Sequence, residues 1–72
     1  MTDSLFDKVI AASELSPLFA KATIERALRR GGVNPETLTR QELRRASPEL
    51  RRSLVGFLGD RIDAVMAKID AL

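Results

Sequence analysis

The stretch SPELRRSLVGFLGDRIDAVMAKIDAL, Ser47 to Leu72, decides how the chain is read. Ser47 suits an N-cap, and Pro48 is tolerated at a first helical position because its missing N–H would be unpaired there. Glu49 favours the positive end of a helix dipole. Beyond it, Val55, Leu58, Ile62, Val65, Ile69 and Leu72 alternate steps of three and four, a helical stripe with heptad spacing. Val55, Ile62 and Ile69 fall at one set of heptad positions and Leu58, Val65 and Leu72 at the other, the arrangement of a two-stranded pair. The stripe is shorter than three heptads, however. Gly59 and Met66 also stand where acidic partners for Arg61 and Lys68 would be needed to fix register. The preferred reading is therefore the buried face of a helix in a small bundle, with an interface to a second copy or another protein as the alternative. Gly59-Asp60 has the chemistry to end one helix and cap the next. Leu54 and Leu58 before it keep phase with Ile62 and Val65 after it, which predicts one long helix bent at Gly59, at a propensity cost of about 1 kcal/mol.

Upstream of this stretch, Thr39-Arg40-Gln41-Glu42 carries a capping box and predicts a short helix through about Ala46, with Leu38 and Leu43 turned inward. Asn34-Pro35-Glu36 reads as a single helical turn. Gly31-Gly32 matches a helix C-terminus; without P-loop spacing or a following Lys-Ser/Thr it does not read as a phosphate loop. The helix it ends starts at Ser16-Pro17, with Ala20, Ile24, Ala27 and Leu28 on its core face. A first helix is capped within Thr2–Ser4 and runs to about Ala12, with Leu5, Phe6, Val9 and Ile10 as its apolar stripe. Helical signals fill every segment and no strand is convincing. The prediction is all-α: one domain, a compact bundle of four to five helices with a long C-terminal helix.

Seventy-two residues build one core that contributes only about 3–5 kcal/mol net. The chain has no cysteine and no histidine, so disulfides and the usual zinc sites are excluded. General acid–base and nucleophilic catalysis lose their commonest groups with them. Acidic pairs such as Asp60/Asp63 and Glu36/Glu42 are the spacing of a solvated helix face. No enzyme activity, metal or cofactor is expected. No apolar run approaches the roughly 18 residues of a membrane span, and no basic leader is visible, which predicts a cytoplasmic protein without membrane association.

Charge is the uneven feature. Lys21 to Arg52 holds nine basic residues and four acidic ones, within a chain of net charge +2. Eight of the nine are Arg, which pairs with carboxylate or phosphate in bidentate fashion. Two functions follow. The first is a small interaction or regulatory module, contacting another protein or itself as a homodimer through the C-terminal stripe. The second is DNA binding: Arg40, Arg44 and Arg45, a break at Ser47-Pro48, and Arg51 and Arg52 near the start of the next helix would form a helix-turn-helix-like arrangement. With all three Phe assigned to the core, stacking on single-stranded nucleic acid is not expected.

Overall fold

The computed structural model describes residues 4–72; Thr2 and Asp3, offered above as alternative caps, lie outside them. The chain is all-helical. Helix α1 (Leu5–Ala12) is capped by Ser4, whose Oγ accepts from the Asp7 N–H at 3.1 Å. Its end is fixed by Ser13, a fully buried polar residue with both hydrogen-bonding roles filled. The hydroxyl donates to the Ile10 carbonyl at 2.6 Å and accepts from the Leu15 N–H at 3.3 Å. Glu14 follows at φ +64°, an uncommon left-handed position for a residue with a Cβ. Its carboxylate takes contacts from Arg61 and Lys68 and so ties this connection to the far end of the chain.

Helix α2 (Pro17–Arg30) buries the expected Ala20, Ile24, Ala27 and Leu28. It ends in a Schellman motif. Val33 N–H reaches back to the Leu28 carbonyl at 2.9 Å and Gly32 N–H to Arg29 at 3.0 Å, with Gly32 at φ +77°. Val33 and Leu28 are both core, which supplies the apolar contact that accompanies this motif. A 3-10 turn (Pro35–Thr37), capped by the Asn34 side chain, leads to the capping box of Thr39 and Glu42.

Helix α3 (Arg40–Leu58) departs from the sequence reading. It does not stop at Ala46, and Ser47-Pro48 does not begin a new helix: Pro48 lies inside α3, on its exposed side. The ring removes the bond to the Arg44 carbonyl, a disruption of about 3 kcal/mol in a helix interior. What outweighs it is the core stripe Leu43, Ala46, Leu50 and Leu54, which crosses Pro48 in phase and is buried throughout. At the C-cap of α2, Gly31 packs so close to α3 that an added Cβ would lie 3.1 Å from that of Ala46.

The second departure is at Gly59. A long helix does occupy the C-terminal half, but it ends at Leu58; a 3-10 turn (Gly59–Arg61) then leads to α4 (Ile62–Asp70). Ser47 Oγ hydrogen-bonds Asp70 Oδ1 at 3.2 Å although 23 residues separate them. A continuous helix would hold them about 35 Å apart. Arg51 likewise pairs with Asp63. Helix α4 is therefore folded back antiparallel on α3. Gly59 allows it with φ +56° and ψ −124°, a combination open in practice only to glycine. Phase across Gly59 was preserved because the two halves of one stripe face each other in the same core.

Candidate interaction surface

The six residues of the C-terminal stripe divide. Ile62, Val65 and Ile69 are buried among Val9, Ile24, Leu28, Leu50 and Leu54 in the chain's own core. Leu58 and Leu72 are partly buried against it, and Val55 stands exposed on α3. They do not form one seam on the surface of the folded chain. Its three most apolar central positions are already covered.

The five arginines of the helix-turn-helix reading also divide. The break that reading requires at Ser47-Pro48 is absent, so Arg51 and Arg52 lie in the middle of α3 instead of opening a helix. Arg51 pairs with Asp63, and Arg52 with Glu49 at 3.1 Å. Arg40, Arg44 and Arg45 are exposed and have no carboxylate partner among the described residues. Arg40 and Arg44, one turn apart, line a cleft of about 140 Å³ closed by Leu43, Asp70, Ala71 and Leu72.

The surface feature that sequence reasoning missed lies between α2 and α3. Phe19 and Phe57 are not core residues: they are 43% and 56% exposed and meet edge to face, ring centres 4.7 Å apart at 82°. Phe57 falls in phase with Leu50 and Leu54, which is why it reads as buried. The antiparallel register explains its exposure: Gly31 packs on Ala46 at one end, Phe19 meets Phe57 at the other, and α2 begins only at Pro17. Little of α2 remains to cover the last turn of α3. Beside the pair runs a groove of about 170 Å³ lined by Thr23, Arg26, Arg30, Ser53 and Phe57. Arg26 and Arg30, one turn apart on α2, have no carboxylate partner among the described residues, whereas Arg29 on the neighbouring face pairs with Glu25 at 3.0 Å.

The groove has two guanidinium groups, two hydroxyls and an aromatic wall, a set suited to holding an anionic group beside an apolar one. At the opposite end of the chemistry, Glu14 is the one group among the described residues whose titration is clearly moved. A hydrogen bond from Lys68 and the charges of Arg61 and Lys68 hold its carboxyl below the ordinary value, against a desolvation that pushes it up. No three acidic side chains gather as a metal site among the described residues, and none of their helices is long and apolar enough to cross a membrane. Compared with known protein families, with curated proteins and with solved structures, the chain matches none.

Proposed function

We propose that the chain is a non-catalytic protein-interaction module and that its contact surface is the α2–α3 face around Phe19 and Phe57, not the C-terminal stripe. The exposed edge-to-face pair carries this reading. Aromatic anchors flanked by arginine are the composition enriched at the centres of protein interfaces, and the two Phe rings here already meet edge to face. The absence of His and Cys supports a role without chemistry. A covalent-capture comparison tests it. A partner retained by the wild-type chain and lost by Phe19→Ser/Phe57→Ser, with helical circular dichroism unchanged, is the expected result. An unchanged set of partners contradicts it.

A second reading keeps DNA as the partner without a helix-turn-helix. The unpaired Arg40, Arg44 and Arg45 favour it, since guanidinium groups free of internal carboxylates are available to phosphates. Fluorescence anisotropy with random duplex at about 50 and 200 mM salt would then show binding that falls steeply with salt. Arg40→Ala/Arg44→Ala/Arg45→Ala would flatten the slope. Absence of binding at the lower salt removes this reading.

A further inference from the structure

We infer that the partner at the α2–α3 groove is an acidic segment of another protein, bearing an apolar side chain that seats on Phe19 and Phe57 while its carboxylates meet Arg26 and Arg30. This rests on the interaction-module reading and specifies the occupant. Three observations argue for it.

The first is charge complementarity. Arg26 and Arg30 line one groove without a carboxylate among the described residues, while Arg29 and Arg52 on adjoining faces are neutralised by Glu25 and Glu49. Of the three arginines of α2, the two without a carboxylate partner are thus the two in the groove. A helical turn separates the two arginines, the same spacing at which a partner helix presents two acidic residues on one face.

The second is Gly56, which precedes Phe57 and follows Ser53 by three residues in α3. An added Cβ there would meet nothing within 4 Å, and its φ is not in the left-handed region. Nothing inside the chain requires glycine at this helical position, where it is less favourable than alanine. Its missing side chain lets another backbone come close to the groove beside the aromatic pair.

The third separates this occupant from the others. A two-fold pairing of this chain with its axis through the groove would set Arg26 and Arg30 against their own copies, like charge on like. For a single-stranded nucleic acid, the edge-to-face geometry is unfavourable because one ring's face is already covered by the other's edge, while stacking needs an open face.

The test is a titration of the full ¹⁵N-labelled chain, followed by amide shifts, with three probes. One is an amphipathic peptide of about 15 residues carrying Leu and Phe anchors with Glu pairs one turn apart. The second is the same peptide with Lys in place of Glu, and the third an oligothymidylate. The expected result is shifts centred on Thr23, Arg26, Arg30, Ser53 and Phe57 with the acidic peptide, and roughly tenfold weaker binding of the Lys version. Arg26→Glu/Arg30→Glu, on exposed positions, should invert that preference, and Gly56→Ala should weaken binding without lowering helix content. Equal binding of both peptides overturns the acidic partner, and so does a stronger response of the same residues to the oligonucleotide. Acidic-peptide shifts on another face overturn the groove and the α2–α3 contact surface, leaving only an interaction role seated elsewhere. No response to any probe contradicts both.

Discussion

At the residue scale, the exposed aromatic pair and the buried stripe should respond to truncation very differently. Ile69 is wholly enclosed by core neighbours, so Ile69→Ala removes packed volume and should lower stability by about 2–5 kcal/mol. Phe57 is more than half exposed and loses mainly its edge-to-face contact, so Phe57→Ala should lower it by only about 1 kcal/mol. Urea unfolding of both variants makes the comparison; similar losses would mean that Phe57 is structural and would weaken its assignment to a contact surface. Glu14 makes a prediction with a sign. Its carboxyl titrates lower in the folded chain than its ordinary value of 4.5, so the stabilisation from Lys68 and Arg61 is complete above that pH. It is lost as pH falls through the lower, folded value. Glu14→Gln should therefore be less stable than wild type near neutrality, with the difference closing in acid. Denaturant midpoints on both sides of pH 4.5 check it, and a pH-independent difference would show that Glu14 acts through its backbone position at φ +64° and not through its charge.

At the element scale, two glycines three residues apart separate the folded-back arrangement from a continuous helix. Both have open space where a Cβ would go, so steric clash enters neither case. Gly56 is helical, and Gly56→Ala should stabilise by about 1 kcal/mol. Gly59 is at φ +56°, and Gly59→Ala should destabilise by about 1–3 kcal/mol. A stabilising effect at both would indicate that the helix runs through. Pro48→Ala should likewise stabilise α3, by up to about 3 kcal/mol, if the helix is unbroken there; at a true first helical position the change would be neutral or unfavourable. These joints are also where the sequence was least legible. Caps with a local hydrogen-bond logic read correctly: Ser4, Gly31-Gly32, Asn34, and Thr39 with Glu42 all sit where their chemistry predicts. Ser47-Pro48 has equally good local chemistry, but tertiary burial of Ala46 and Leu50 on either side overrides it. Gly59 was ambiguous because periodicity reports which face is apolar and is blind to whether the axis reverses. The groove was hidden for a related reason. Phe57 has a core phase, and only the register of α2 against α3 leaves it uncovered.

At the scale of the whole molecule, a chain of 72 residues with no cysteine for a disulfide closes its core by turning α4 back onto α3, so that Ile62, Val65 and Ile69 join the residues of α1 and α2 in one cluster. The central residues of an apolar stripe that resembles an interface are thereby used internally, and the surface we propose for a partner lies where α3 meets α2. Ile69→Asp should consequently unfold the monomer by placing an unpaired charge in the core, with loss of the helical circular dichroism signal. Dissociation of a dimer with helicity retained would point instead to an intermolecular seam. The most direct measurement is the distance between spin labels at positions 47 and 70, read by pulsed EPR in labelled chain alone and diluted with unlabelled chain. Ser47 and Asp70 are hydrogen-bonded across α3 and α4, so the expected result is a short label separation that survives dilution. A separation near 35 Å, the span of a continuous helix, or a short one that disappears on dilution, would contradict the internal closure on which the assignment of the α2–α3 surface depends.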